Sequence, residues 1–366
     1  TRKSTVLFGI LCFIGAVITA STGHFYVMAA GRLVFGLGAE SLIVAVTTAL
    51  AKWFRGKELS LAFGLNLTLA RIGSFAAINS PTWARAAYAE WQYPLIIACA
   101  VGLLCVVGAV LYFGMEVAAE RKYALGDAEE PDKVNFKEVF RFGRSYWFVV
   151  ALCITFYSAM FPFQTFAVKF FMDRHDVSRE SGGGLSSLLT LFAMFCTPLF
   201  GYFADRVGKR ATLMIFGSIL IIPVYLVMAY IPMPSSGDMT ILGVLTLPRS
   251  WLILPMAVMG ISFSLIPAVM WPSVAYLVQQ ARLGTALGLM TMIQNIGLAG
   301  FNFLLGWSNT HWSASADNPA GYTPGMWMFS SLGLFAVLFA WLLKRSETGP
   351  NAKGLETITT KNPQPS

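Results

Sequence analysis

Residues 201–210 read Gly-Tyr-Phe-Ala-Asp-Arg-Val-Gly-Lys-Arg; they close one apolar run, 185–204, and open the next, 211–231. A bilayer span needs about 20 apolar residues at ~1.5 Å each, so this charged turn joins two runs of membrane-crossing length. Working outward, runs of the same kind recur at 5–22, 25–54, 60–83, 91–115, 146–171, 251–278, 285–307 and 325–343, which makes ten in all. None alternates with a period of two as barrel strands do, so each is predicted to be a helix. Composition agrees: 56% of the 366 residues are hydrophobic, 12% are charged, and there are 33 glycines. Those values exclude a disordered chain, a disulfide-stapled secreted domain and an ordinary soluble enzyme.

The net charge of +8 would suit a nucleic-acid partner in a soluble protein. Here its placement follows topology. With Arg2 and Lys3 on the cytoplasmic side, the loops and tail of that side carry 19 Lys and Arg, against four (Arg85, Arg174, Arg179, Arg249) on the other. This is the positive-inside bias of a polytopic membrane protein, and no nucleic-acid partner is expected. The polar link between the fourth and fifth runs divides the chain. The reading is a helical half at 1–115, a cytoplasmic linker at 116–145, a second half at 146–344 and a disordered tail at 345–366.

The chain also resembles itself. A shift of 224 pairs Gly36 with Gly260, Ala62 with Ala286, Gly64 with Gly288, Ile72 with Ile296 and Gly73 with Gly297 without a gap. A shift of 207 pairs Arg2-Lys3 with Lys209-Arg210; the difference matches the longer loop at 232–250. Two spans, 146–171 and 185–204, precede the second copy, and none precedes the first. The expectation is a protein of two six-helix repeats, ten of its twelve helices present, with a solute site near the midplane between the halves.

The stretch Gly201–Arg210 and the run Arg32-Leu-Val-Phe-Gly36-Leu-Gly38-Ala39 resemble the loop and fourth-helix signatures of the major facilitator superfamily. Gly31–Ser41, Trp53–Leu59, Phe63-Gly64-Leu65 and Ala70-Arg71-Ile72-Gly73-Ser74 are similar to a branch known for lysosomal dipeptide transport. The resemblance implies an all-helical transporter fold, a dipeptide substrate, no evident driving ion and, in animals, an accessory membrane glycoprotein. The run at 60–83 departs from the superfamily's antiporter pattern, lacking its Gly-Pro-rich signature. In this superfamily, loops such as Asp205, Arg206, Lys209 and Arg210 act as a gating latch.

Four ionisable residues fall inside the spans: Arg32, Glu40, Arg71 and Lys169. A charge at the membrane centre costs about 2.5–3.5 kcal/mol, which makes each a candidate for function. Glu40 lies ~20 Å and Arg71 ~17 Å from the cytoplasmic ends of their helices, so the two sit at matched depth. Three readings stand: a buried salt bridge, a zwitterion clamp in which Glu40 takes an ammonium and Arg71 a carboxylate, or a proton switch at Glu40. Arg32 is either a structural contact or a further anion contact. Lys169 either snorkels or guards the cavity mouth. Tyr157 and Gln164, within the aromatic stretch Phe156–Phe166, together with Trp271 and Asn295, would line the site or simply pack. Pro267 and Pro272 flank Trp271 and predict a kinked helix. Asn295 is the repeat mate of Arg71.

The three histidines are read as solvated residues in or beside outer loops, and the five cysteines as isolated core residues. No metal site, cofactor loop or nucleophile–base set is present, so neither cofactor nor enzymatic activity is expected. The predicted function is a monomeric secondary transporter of a small zwitterion, a uniporter or weakly proton-linked, in contact with the lipid bilayer. Alternatives are an organic-anion carrier using Arg71, Arg32 and Lys169, and a non-transporting membrane receptor or scaffold. Short loops and no usable glycosylation sequon favour a bacterial inner membrane; in a eukaryote the resemblance implies a lysosomal one.

Overall fold

The computed structural model describes residues 2–54, 59–120, 142–279, 282–350 and 352–359. Among these, the long helices are α1 (Arg2–Ser21), α2 (Phe25–Phe54), α3 (Leu59–Ile78), α5 (Tyr93–Glu120), α6 (Arg144–His175), α7 (Arg179–Val207), α8 (Arg210–Tyr230), α9 (Ile253–Leu277), α10 (Leu283–His311) and α11 (Thr323–Glu347). Each coincides with one expected run. Nine are long and apolar enough to cross a membrane by the described residues alone; of α3, the described apolar part is Leu69–Ile78. Arg55–Glu58 and most of the expected linker, 121–141, lie outside the described residues.

The chain forms two compact units, one of Thr1–Ala70 with Ala84–Glu130, the other of Arg71–Trp83 with Pro131–Ser366. In unit 1, α1 and α2 cross through small residues. A Cβ at Gly15 would collide with the Phe35 amide, and one at Gly38 would lie 2.7 Å from the Cys12 nitrogen, so only glycine lets the two backbones approach. In unit 2 an aromatic cluster of Phe163, Phe170, Phe171, Tyr225 and Phe329 forms the centre of a continuous core. The Tyr225 hydroxyl donates to the Ala159 carbonyl at 2.6 Å, so its burial leaves no orphan donor.

Three expectations are corrected. The run at 60–83 is not one helix: α3 ends at Ile78 and a short α4 (Ser80–Trp83) follows. Asn79 turns its side-chain amide onto the Phe75 carbonyl at 3.0 Å, and Pro81 cannot donate to the helix ladder, so the helix stops there. The loop at 232–250 carries an unforeseen hairpin of β1 (Asp238–Ile241) and β2 (Leu245–Pro248), with a tip at Leu242 and Gly243 in left-handed backbone. β2 is buried and lies on α7 at Gly184, where a Cβ would run into the Thr246 carbonyl; Gly182 faces Val168 of α6, and Gly183 faces the Ile78 carbonyl and Pro81. Those contacts also explain why α7 begins at Arg179, six residues before the expected run, despite three glycines in its first turns.

The third correction concerns the tail. Residues 345–366 were expected to be disordered, yet α11 runs to Glu347 and the chain packs back as far as the described residue 359. Leu355 is fully buried. The Glu347 carboxylate accepts from Ser145 Oγ at 2.6 Å and from the Lys353 amide at 2.8 Å. Glu356 caps the start of α8, accepting from the Thr212 amide at 3.0 Å and its hydroxyl at 2.8 Å. A carboxylate at a helix N-terminus satisfies orphan N–H groups and meets the positive end of the dipole. The polar composition that reads as disorder is thus partly made of caps.

Candidate substrate site

Arg71 of α3 belongs to unit 2 and is half-buried. Its guanidinium carbon lies over the Phe263 ring of α9, 5.7 Å from the centroid. Among the described residues Arg71 has no carboxylate partner. Phe263 meets Phe161 of α6 edge-on, with centroids 5.7 Å apart at 89°. Phe161 stacks on Tyr157, one turn earlier on α6, at 5.5 Å and 9°. The Tyr157 hydroxyl accepts the indole N–H of Trp271 at 2.8 Å. The structure therefore joins Arg71, Tyr157 and Trp271, which the sequence separates by up to 200 positions, through Phe161 and Phe263.

Phe161 was within the expected aromatic wall. Phe263 was not expected at all, because one phenylalanine in a wholly apolar helix carries no signal. Gln164 donates to the Ser186 carbonyl at 3.4 Å, and Gln294 accepts from the Cys153 thiol at 3.6 Å, so both amides tie neighbouring helices together. Asn295 is exposed on α10. In unit 1, Arg32 and Glu40 are both exposed on α2, and within the described residues neither forms an ion pair.

Lys169 is elsewhere engaged. Its ammonium pairs with Asp173 one turn on, at 2.8 Å, and the same carboxylate oxygen accepts the Tyr322 hydroxyl at 2.5 Å. With 64% of its side chain exposed, Lys169 fits the snorkelling reading better than an anion contact. His175 differs from expectation: it is 1% exposed, and its Nδ1 accepts the Met233 amide at 3.2 Å. An apolar cavity of about 480 Å³ in unit 1, lined by Leu42, Val46, Trp53, Tyr112 and others of α1, α2 and α5, contains none of the expected site residues.

At the inner end of unit 2, Gly208 and Lys209 adopt left-handed backbone, which turns the chain from α7 into α8. Arg210 is 2% exposed. It donates to Asp205 at 2.8 Å and to the Ile358 carbonyl at 2.8 Å, and its guanidinium lies 4.6 Å from the Tyr276 ring centre. Asp205, near the negative end of α7, thus has the arginine partner its position requires. Arg206 and Lys209 are exposed. Arg206 lies over the Tyr202 ring at 4.5 Å.

No metal-binding group of His, Cys, Asp or Glu occurs among the described residues. A fold of long apolar helices in two repeats, with a half-buried arginine against an aromatic wall, has the form of a polytopic solute carrier. The Major Facilitator Superfamily pattern matches residues 1–299, and the chain belongs to that family as a multi-pass membrane protein. It is 30% identical over 307 residues to the lysosomal dipeptide transporter MFSD1 of Gallus gallus, covering 81% of this chain and 66% of that protein. The Homo sapiens protein of the same name is 30% identical over 320 residues, covering 83% and 64%. The chain thus spans a little under two thirds of these relatives. Among solved structures, peptide transporter POT in complex with sulfate superposes with a TM-score of 0.66 at 15% identity, covering 97% of this chain and 82% of that one. At that identity the likeness concerns the fold.

Proposed function

We propose that the protein is a secondary transporter moving a small zwitterion, a dipeptide first, by alternating access. Arg71 grips the substrate carboxylate next to the apolar wall of Phe161, Tyr157 and Trp271, and Glu40 receives the ammonium. The observation that carries this reading is a half-buried arginine within a membrane helix, held by an aromatic ring and without a carboxylate partner among the described residues. Such a cation is costly in the bilayer, and a substrate anion offsets that cost with two parallel hydrogen bonds. Similarity to lysosomal dipeptide transporters supports a dipeptide. Glu40 is the one carboxylate that the sequence places at membrane depth, which supports a uniporter or a weakly proton-linked carrier. Asp205 and Arg210 then anchor the inner end of the moving half, with Arg206 and Lys209 free to latch and release.

Uptake of a labelled dipeptide into liposomes holding the full-length protein tests this. Saturable uptake that needs no pH gradient and is abolished by Arg71→Ala is expected; no uptake by folded protein would overturn the dipeptide assignment. An organic-anion carrier is the second reading, and the commitment of Lys169 to Asp173 weakens it by removing one of its three cations. Glu40→Gln separates the two: a zwitterion carrier loses amine-bearing substrates, and an anion carrier does not. A lysosomal membrane, a monomeric carrier and an accessory glycoprotein belong to the same proposal. Fractionation with co-purification checks them, and recovery in a bacterial inner membrane would replace the first.

A further inference from the structure

We infer that Phe263 is a positioning residue for carboxylate capture: its ring orients the Arg71 guanidinium so that the N–H edge is presented to the substrate anion. The inference rests on the substrate reading above and deepens it.

A guanidinium has two kinds of surface at right angles. Its flat face is attracted to the negative face of an aromatic ring, and its edge carries the N–H donors that match a carboxylate. The Arg71 guanidinium carbon lies over the Phe263 ring, 5.7 Å from its centroid, and among the described residues its N–H groups meet no hydrogen-bond acceptor. The ring is itself fixed. It is 3% exposed, Phe161 meets it at 89°, and Phe161 is held in turn by the stack on Tyr157 and the Trp271–Tyr157 hydrogen bond. The contact restricts a long, flexible cation before substrate arrives, which favours tight capture. Phe263 also stands four residues before Pro267, whose missing N–H leaves the Phe263 carbonyl without its helical donor. The residue that holds Arg71 is thus at the loosened point of α9, where a change at Arg71 can be passed to the helix.

The test uses the full-length protein in liposomes, labelled alanyl-alanine as probe and its C-terminal amide as competitor. Phe263→Leu keeps the bulk and removes the ring. It is expected to raise KM for the dipeptide roughly two- to thirtyfold, to leave maximal uptake within about twofold, and to leave inhibition by the amide unchanged; Phe263→Trp restores the dipeptide KM. Should Phe263→Leu fail to fold, stepwise fluorination of the Phe263 ring weakens its face at nearly constant shape, and KM is expected to climb with each fluorine. A KM flat across that series, or equal effects on dipeptide and amide, would reduce Phe263 to a packing residue. If Arg71→Ala still takes up the dipeptide and still prefers it to the amide, the substrate reading fails and this inference with it. If Arg71→Ala abolishes uptake while the Phe263 variants do nothing, only the role of Phe263 is lost.

Discussion

The two copies of the repeat place the same glycines in opposite surroundings. In unit 2, a Cβ at Gly260 would meet the Phe192 ring at 2.7 Å, and one at Gly297 would collide with Ile154. Their mates Gly36 and Gly73 have nothing within 4 Å. The covering residues mark the difference: Phe192 is on α7 and Ile154 on α6, whereas among the described residues nothing covers Gly36 in unit 1 or Gly73 in unit 2. A glycine in a membrane helix therefore marks a place where another helix can approach closely, and its worth depends on whether one does. The polar residues divide in the same manner. Arg71 and its mate Asn295 share a register position, but the first is held by an aromatic ring and the second is exposed.

This contrast can be tested from its strongest point downward. Gly184→Ala should have the largest effect, because the new methyl meets a backbone carbonyl that cannot turn aside. A loss of about 3 kcal/mol is expected, with faster proteolysis at 238–248; an unchanged cleavage rate would show that the hairpin does not depend on this seat. Next, Gly260→Ala should cost about 1–3 kcal/mol by overpacking against Phe192, whereas Gly36→Ala in the 366-residue chain should be neutral or gain up to about 1 kcal/mol of helix propensity. Equal melting temperatures for the two variants would erase the asymmetry between the copies. Glu356→Ala removes the cap on α8 and should destabilise unit 2 by about 1 kcal/mol, with Glu356→Gln intermediate; hydrogen exchange at the Thr212 amide reports it, and unaltered exchange would show the tail to be dispensable. Smallest is Lys169→Met. Its ion pair with Asp173 is exposed, so stability should change by less than about 1 kcal/mol and dipeptide uptake should persist, in contrast to Arg71→Ala; loss of uptake would return Lys169 to the site.

Much of the fold was legible because the bilayer imposes one rule on every span. Length and hydropathy located all ten long helices, and the 224-residue repeat related them in pairs. The boundaries that failed did so for local reasons. Asn79 and Pro81 broke a run that hydropathy reads as continuous, and the glycines at 182–184 fell outside the expected run until Val168, Ile78 and the hairpin were found to cover them. Within the site, Arg71, Tyr157 and Trp271 stood out as a charge and polar aromatics in an apolar setting. Phe263 did not, since its role comes from what it faces. His175 was misjudged for a related reason: near a helix end a sequence cannot distinguish a wet side chain from one covered by the Met233 backbone.

By itself, the sequence determined that this chain is a polytopic helical protein with its basic loops on one side, built as a repeat, carrying rare charges at membrane depth. These properties are set residue by residue, by transfer free energies and by loop charge, and need no knowledge of contacts. Tertiary structure alone decided which charges are engaged, which glycines are covered and where the tail goes. Whether Lys169 meets Asp173, Arg71 meets Phe263 or Glu356 meets the start of α8 depends on distances of a few ångströms between elements far apart in the chain, and single-residue energies do not specify them.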